Sequence, residues 1–169
     1  MSQSPFPEAL WGDPNGRLQR PLTAFASTKL GSTLIKALTP LDRRILLRSK
    51  GRYTVLGPIG ALPLLLTTTG AKSGLHRTTP LIYVRDEDRL LVIGSNFGQQ
   101  HHPTWTTNLR ANPDAAVTIA GVEVPVRARQ LEEAERQRAI DAFIERTAVY
   151  AEYLRRTDRK IRVFALEAR

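Results

Sequence analysis

A glycine-bracketed turn contains the first residues whose types and spacing suit binding chemistry. Leu64–Thr69 is a run of leucines and threonines, which favours a buried strand, and Gly70 and Gly74 mark a turn directly after it. Lys72 lies within the turn, and Arg77 follows three residues after Gly74. Hydroxyl groups accompany these cations at Ser73, Thr78 and Thr79. Cations and hydroxyls beside a glycine turn form a group suited to binding an anion.

Known phosphate-binding motifs do not assign a ligand to this turn. Its spacing differs from that of the GxxxxGK[ST] loop and from that of the GxGxxG dinucleotide fingerprint. An exposed β-hairpin turn with solvated charges would have the same composition. The residues of the turn leave both possibilities open, so the rest of the chain has to distinguish them.

The composition favours a single soluble domain with an anionic partner. The chain has 169 residues, enough for one domain with a substantial core. It has no cysteine, which excludes disulfides, thiolate metal sites and thiol nucleophiles. The formal net charge of +9 favours a phosphorylated or polycarboxylated ligand, an acidic membrane surface or nucleic acid. Because the basic residues are scattered and no recognition motif is present, we predict no nucleic-acid partner.

The N-terminal third is predicted to flank the main domain. Prolines interrupt residues 1–26, which we expect to form a partly disordered arm. Residues 27–50 are predicted to form two amphipathic helices, the second with Leu41, Ile45 and Leu46 on its apolar face. These helices either pack normally or contact a membrane surface peripherally. No apolar run is long enough to span a bilayer and no secretory signal is evident, which indicates a cytoplasmic protein with or without membrane association.

The pattern of short apolar segments in residues 27–169 predicts one α+β domain. Strands are predicted at residues 62–69, 78–85, 89–95, 115–119, 122–128 and 161–166, and helices at 103–111 and 132–146. Short turns join most neighbouring strands, which indicates antiparallel hairpins. Such strands form a small barrel or closed sheet with the helices packed outside. The pattern lacks the βαβ alternation of a Rossmann fold.

A second polar loop and two pairs of residues at helical spacing are further candidates for a pocket. Ser95–Gly98 follows the third predicted strand. Trp105 and Asn108 lie three apart on one predicted helix, and Tyr150 and Tyr153 have the same spacing further along. Aromatic walls with a few polar groups are typical of a cofactor site, although tyrosines also commonly pack in cores. The adjacent histidines after the loop lack a suitably spaced carboxylate, so no metal site is predicted.

Three segments together resemble one known family. They are TTTGAKSGLHRTTPL, GSNFGQQHHPTWTTNLRANP and YAEYLRRTDRKIRVFAL, and they lie in order between Leu64 and Leu166. In combination they resemble the deazaflavin (F420)-dependent nitroreductases, small split β-barrel oxidoreductases related to FMN-binding proteins of the pyridoxamine-phosphate-oxidase type. The resemblance implies coenzyme F420 as cofactor, an 8-hydroxy-5-deazaflavin with a phospholactyl oligoglutamate tail. It also implies hydride transfer to a quinone, an enone or a nitro-activated lipophilic substrate.

The resemblance further implies roles for individual residues. The cofactor-binding residues would be Lys72, Ser73, Arg77, Thr79, Pro80, Ser95, Asn96, Phe97, Gly98, Trp105 and Asn108. The catalytic residues on the substrate side of the deazaflavin would be Tyr150, Tyr153 and Ser95. Two alternatives stay open, namely a split-barrel reductase that uses FMN and a non-catalytic carrier of a tetrapyrrole or a lipid.

Several positions depart from the pattern usual in that family. The family often has arginine at the position of Ala71, lysine at that of Asn96 and glycine at that of Phe97. These differences imply a less cationic loop and a pocket that Phe97 narrows or caps. Thr147 stands where some nitroreducing members have tyrosine, which weakens the expectation of nitroimidazole reduction more than that of cofactor binding.

Overall fold

A closed barrel of six antiparallel strands forms the centre of the computed structural model, which describes residues 4–7, 40–54, 63–146 and 149–169. The strands are β1 (Pro63–Thr69), β2 (His76–Asp86), β3 (Arg89–Ile93), β4 (Asp114–Ile119), β5 (Val122–Gln130) and β6 (Val163–Ala168). Around the barrel they follow the order β1–β2–β3–β6–β5–β4, and each neighbouring pair is antiparallel. The predicted antiparallel barrel with outer helices is confirmed.

Four helices accompany the barrel in the described parts of the chain. They are α1 (residues 40–48), α2 (Thr104–Ala111), α3 (Glu133–Arg146) and α4 (Val149–Arg155). Helix α2 connects β3 to β4, while α3 and α4 together connect β5 to β6. Trp105 and Leu109 of α2 belong to the core inside the barrel. Helix α2 therefore covers one end of the barrel.

Strand β3 is apolar from Leu90 to Ile93 because both of its faces are covered. Leu90 and Val92 belong to the core inside the barrel. Leu91 and Ile93 belong instead to a second core, which α3 and α4 form against the outer surface and which includes Phe143. A strand buried on both faces has a nearly continuous apolar sequence rather than an alternating one. Strand β6 follows the same rule.

The antiparallel order determines which loops meet at one end of the barrel. Because β1, β3 and β5 run in the same direction, the β1–β2 turn, the segment after β3 and the connection after β5 all leave at one end. We call this end, which α2 covers, the helical end. The β2–β3 and β4–β5 turns lie at the opposite end. The topology therefore gathers the predicted site segments at the helical end.

The segments before β1 are described only in part. Of the predicted arm, residues 4–7 are described, and Phe6 is buried in the core inside the barrel. The guanidinium of Arg85 donates hydrogen bonds to Ser4 Oγ and to the carbonyl oxygen of Phe6, both at 3.0 Å. The first of the two helices predicted within residues 27–50, over residues 29–38, lies outside the described residues. No helix within the described ranges is long and apolar enough to cross a bilayer.

The prediction for α1 is wrong at one position. Leu46 is buried as expected, but Leu41 is 50% exposed. Asp42 is turned inward instead, and its carboxylate accepts a hydrogen bond from the Thr54 hydroxyl at 2.7 Å. Asp42 and Leu46 are four residues apart and so share a face that Leu41 does not share. A polar contact thus helps to set the orientation of this helix, and hydrophobic periodicity gave no sign of it.

Ionic contacts connect α3 to the barrel. The carboxylate of Glu135 accepts hydrogen bonds from Arg129 on β5 at 2.8 and 2.9 Å and from Arg89 on β3 at 2.8 Å. The hydrogen bonds from Arg129, with a smaller contribution from Arg89, lower the pKa of the Glu135 carboxyl to about 2, although desolvation opposes them. One carboxylate thereby joins α3 to two strands that are not neighbours in the barrel.

The lowered pKa of Glu135 predicts a loss of stability in acid. Because the carboxyl pKa is lower in the folded chain than in the unfolded one, its stabilisation is fully present above about pH 4.3 and is lost as the pH falls towards 2. Glu135→Gln should lower the free energy of unfolding by about 1 kcal/mol at neutral pH. The expected loss is small because the ion pairs of Glu135 are partly exposed, and solvent screens them. Urea unfolding across this pH range measures the difference, which should disappear in acid. A difference that stays constant would contradict the assignment.

Candidate cofactor and substrate site

The β1–β2 turn presents two cations at the helical end. Two backbone hydrogen bonds of 2.8 Å close the turn, from Gly74 N–H to Gly70 C=O and from Gly70 N–H to Leu75 C=O. Lys72 is exposed within the turn, and Arg77 is exposed at the second position of β2. Among the described residues, neither cation has a carboxylate within ion-pair distance. Both charges are therefore available to an anion.

Glycine is required at both ends of this turn. A Cβ at Gly70 would lie 2.6 Å from Ser73 Oγ and 3.1 Å from the carbonyl oxygen of Leu75. Gly74 has a φ of +67°, in the left-handed region that side chains disfavour. The two glycines therefore permit a tight turn that places the backbone of Lys72 close to the start of β2.

Asn108 connects helix α2 to the turn. It is 2% exposed; its Oδ1 accepts the Ala71 N–H at 3.1 Å and its Nδ2 donates to Thr68 Oγ1 at 3.0 Å. Trp105, on the same helix, is 4% exposed, and its ring lies 5.7 Å from that of Phe164 inside the barrel. Both predicted binding residues are thus engaged within the fold, Asn108 directly on the turn. Their direct contact with a cofactor stays a prediction.

The remaining predicted residues of this region are in or beside β2. Thr79 and Pro80 are half-buried in the strand. The hydroxyl of Ser73 accepts the backbone N–H two residues further on, at 3.3 Å. The hydroxyl of Thr78 lies 2.9 Å from that of Thr67 on β1. The sequence predicted these hydroxyls as donors to an anion, and the fold already uses two of them locally.

The segment after β3 contains a left-handed turn. Asn96, Phe97 and Gly98 have φ values of +48°, +55° and +77° in succession, and we call these three residues the left-handed turn. A non-glycine residue in this region costs about 1–3 kcal/mol when the surroundings impose it. At Gly98 a Cβ would lie 2.8 Å from the carbonyl oxygen of Tyr153 and 2.7 Å from Cβ of Arg156. Close packing against α4 therefore requires glycine there.

Aromatic rings form a continuous chain from the second core to the surface beside this turn. The ring of Phe143 lies 5.1 Å from that of Tyr150, which lies 5.9 Å from that of Tyr153. The ring of Phe97 meets Tyr153 edge-on at 5.7 Å and is 52% exposed. The guanidinium of Arg156 lies 5.9 Å from the centre of the Tyr153 ring. The predicted tyrosine pair and the predicted loop are therefore in direct contact.

The side chain of Tyr150 is mostly buried, and its hydroxyl has no hydrogen-bond partner among the described residues. The residue is 7% exposed and is packed in the second core. Burial raises the pKa of the Tyr150 phenol, and the nearby Tyr153 raises it further. Burial also raises the pKa of Tyr153, although Arg156 opposes that shift. Both phenols are protonated at neutral pH, so each can act as a hydrogen-bond donor.

Arg159 is a site residue that the sequence reasoning missed. Its guanidinium donates hydrogen bonds to the carbonyl oxygens of Gly94, Ser95 and Gln99 at 2.9, 2.7 and 2.8 Å. It also lies 3.1 Å from Nδ1 of His102, which must accept and therefore stay unprotonated. Burial, with the charges of nearby arginines, lowers the pKa of His102. In the sequence, Arg159 is only one residue of a break between a helix and a strand.

The predicted site residues form two groups at the helical end. The first, which we call the anion group, consists of Lys72, Ser73 and Arg77 with Asn108 behind the turn. The second, which we call the aromatic group, consists of Ser95, the left-handed turn, Tyr150 and Tyr153. Within the described ranges, no three histidine, aspartate or glutamate side chains are grouped as metal ligands.

The chain is similar to known proteins in sequence and in structure. The family model for F420H(2)-dependent quinone reductase matches residues 38–168. An F420H(2)-dependent quinone reductase of Mycobacterium tuberculosis is 39% identical over 114 residues, which cover 65% of this chain and 76% of the relative. The solved structure of the F420-H2 dependent reductase FDR-A is 40% identical over 62% of this chain and 93% of its own, with a TM-score of 0.58. A solved domain-swapped dimer is 34% identical over 80% of this chain and 98% of its own, with a TM-score of 0.59.

Asn108→Leu tests whether the helix fixes the turn. The substitution keeps the volume but leaves the Ala71 N–H without a partner and removes the donor to the Thr68 hydroxyl, which keeps only its 3.5 Å contact with the carbonyl oxygen of Arg77. The free energy of unfolding should fall by about 1–3 kcal/mol, and the Ala71 amide should exchange its hydrogen faster. Thr104→Ala, at an exposed position of the same helix, is the matched control and should change neither measurement. Unchanged protection of Ala71 would show that Asn108 does not restrain the turn.

Proposed function

The chain belongs to the F420H2-dependent quinone reductase family, and we propose how its own residues serve that reaction. In this proposal the anion group binds the tail of coenzyme F420, and the aromatic group faces the quinone. The family and its relatives support coenzyme F420 over FMN, and an oxidoreductase over a carrier of a tetrapyrrole or a lipid. Quinone reduction is the family's reaction, whereas reduction of enones or nitro compounds by this chain is a further proposal.

The uncompensated charge of the anion group is the observation that supports the proposal most directly. Lys72 and Arg77 are exposed, have no ionic partner among the described residues, and flank a turn that Asn108 restrains. The cofactor tail contains a phosphate and several carboxylates. Each charge-assisted hydrogen bond to such a group contributes about 1.5–3 kcal/mol. The donor set therefore fits a polyanionic tail.

The aromatic group contains the donors that quinone reduction needs. When bound, coenzyme F420H2 supplies a hydride. Negative charge then develops on a quinone oxygen, and a preorganised hydrogen-bond donor stabilises it. We assign this donation first to Tyr150, whose ring is mostly buried and whose hydroxyl is protonated and has no hydrogen-bond partner among the described residues. Tyr153 and Ser95 are the further candidates.

A planar lipophilic acceptor suits the exposed edge of the aromatic group. Phe97 is 52% exposed and lies edge-on to Tyr153, so apolar ring surface is available to a flat substrate. Quinones provide such a ring, and so do aromatic nitro compounds. Thr147, the position that bears on nitroimidazole reduction, lies outside the described residues.

Peripheral contact with a membrane through residues 27–50 is a separate proposal. In the described part of that segment, Arg43, Arg44 and Arg48 are exposed on α1, and Leu41 beside them is 50% exposed. Cations next to an exposed apolar residue favour an anionic lipid surface. We expect co-sedimentation with anionic vesicles at low salt, reduced by Leu41→Asp. If the wild-type protein stays in the supernatant, α1 serves only in packing.

Arg77→Ala tests the role of the anion group. The variant should bind coenzyme F420 about ten-fold more weakly or worse, because one charge-assisted hydrogen bond to the tail is lost. The affinity of the wild-type protein should also fall as salt rises, since exposed charges are screened. Arg138→Ala, which removes an exposed arginine from α3, is the matched control. Equal affinities of the wild-type protein and Arg77→Ala would refute the assignment.

Tyr150→Phe tests the proposed donor. A group that acts mainly on the developing charge should affect turnover more than cofactor affinity. We expect quinone reduction to slow by about ten- to a thousand-fold while F420 binding stays near that of the wild type. Because burial raises the pKa of Tyr150, its ionisation should not lower the rate of the wild-type enzyme below about pH 10. Stopped-flow oxidation of the bound cofactor measures the rate. Unchanged rates in Tyr150→Phe, Tyr153→Phe and the double variant would assign both tyrosines to packing.

A further inference from the structure

We propose that Arg159 is a positioning residue of the active site, which maintains the left-handed turn and thereby holds Phe97 against Tyr153 and fixes Ser95 at the base of the turn. The proposal rests on the function proposed above. Its basis is the set of hydrogen bonds that one guanidinium makes around the turn, together with the unusual backbone conformation that those bonds enclose.

The left-handed turn needs restraint from outside itself. L-residues normally visit the left-handed region singly, because Cβ then approaches the neighbouring carbonyl oxygen. Here Asn96 and Phe97 are both in that region and Gly98 follows them. Within the turn, the Gly98 N–H donates to Ser95 C=O and the Gln99 N–H to Asn96 C=O, both at 3.0 Å. The Asn96 side chain adds hydrogen bonds from Nδ2 to Gln99 Oε1 at 3.2 Å and to the carbonyl oxygen of His101 at 3.1 Å. All four bonds join residues within 95–101, so none of them connects the turn to the rest of the fold.

Arg159 supplies a restraint from a distant part of the chain. Its guanidinium binds carbonyl oxygens before the turn, at Gly94 and Ser95, and after it, at Gln99. Because the guanidinium is planar and rigid, these contacts fix the distance between the two ends of the turn. The fourth contact, to the ring of His102, extends the same restraint towards the start of α2.

The contacts of Arg159 are not those of an ordinary surface ion pair. No carboxylate of the described residues lies within ion-pair distance of its guanidinium, which instead satisfies backbone carbonyl groups. The guanidinium is partly buried, and the nearby Arg162 repels it. The contribution of Arg159 to the fold is therefore to hold three backbone carbonyl groups in place, and not to neutralise an acidic side chain.

The restrained segment contains residues of the aromatic group. The ring of Phe97 contacts Tyr153, and Gly98 packs on the backbone of α4 beside it. Ser95, whose carbonyl oxygen accepts from Arg159, is 8% exposed at the base of the turn. Loss of the guanidinium should therefore displace the turn relative to the tyrosines without touching the cations of the anion group.

Arg159→Gln and Arg159→Lys, each compared with Arg155→Gln, test the proposal. Arg155 lies four residues before Arg159, and its ionic partner is Glu152, so it controls for the loss of one charge in the same segment. The first measurement is amide hydrogen exchange of the protein without cofactor. Exchange at Gly98 and Gln99 should be about ten-fold faster or more in Arg159→Gln and unchanged in Arg155→Gln, while β1 stays protected in both.

The second measurement separates positioning from cofactor binding. In Arg159→Gln, kcat for quinone reduction should fall by about ten- to a hundred-fold, and the Kd for F420 should change by less than about three-fold. Arg159→Lys keeps the charge but cannot span all four acceptors, so its kcat should lie between those of Arg159→Gln and the wild type.

The outcomes distinguish this proposal from the one on which it rests. Exchange at Gly98 and Gln99 that matches the wild type in both Arg159 variants would overturn the proposal, whatever the activity. A loss of kcat no larger than that of Arg155→Gln would also overturn it. If the wild-type protein binds F420 but reduces no quinone, the proposed function fails, and hydrogen exchange alone then decides whether Arg159 restrains the turn.

Discussion

The alternation of strand direction in a closed six-stranded barrel is the constraint on which the rest of the structure depends. Each antiparallel pair sends consecutive connections to opposite ends, so the turn after β1, the segment after β3 and the helices after β5 meet at one end. The hydrogen-bonded strands leave no open edge, which gives these connections a rigid base. The separation of the candidate residues in the sequence therefore says little about their separation in space.

The helical end is built from segments that the rest of the fold restrains. Asn108 fixes the β1–β2 turn from helix α2, and Arg159 binds the segment around the left-handed turn. In each case a side chain from a distant part of the chain satisfies backbone groups of a tight turn. A reaction that needs a cofactor and a substrate at defined positions benefits from such preorganisation, because less ordering remains for the binding step.

The sequence predicted the barrel and the β1–β2 turn well because local patterns determine both. Apolar segments of strand length and short polar turns indicated antiparallel hairpins, and two glycines around Lys72 indicated the turn itself. The hydrogen bonds that support the site from behind could not be predicted from such local patterns. Asn108 forms its hydrogen bonds to residues 37 and 40 positions away, and Arg159 contacts carbonyl groups, which every residue has. The error at Leu41 has the same origin, since Asp42 turns inward towards Thr54.

Comparison of coenzyme F420 with a deazaflavin that lacks the phospholactyl oligoglutamate tail tests the central claim most directly. Calorimetric titration of both ligands into the wild-type protein and into Arg77→Ala gives four binding free energies. Together they show whether the effect of the tail depends on Arg77. We predict that the wild-type protein prefers the complete cofactor by about ten-fold or more and that Arg77→Ala loses most of this preference. The same preference for the tail in both proteins would contradict the role of the β1–β2 turn.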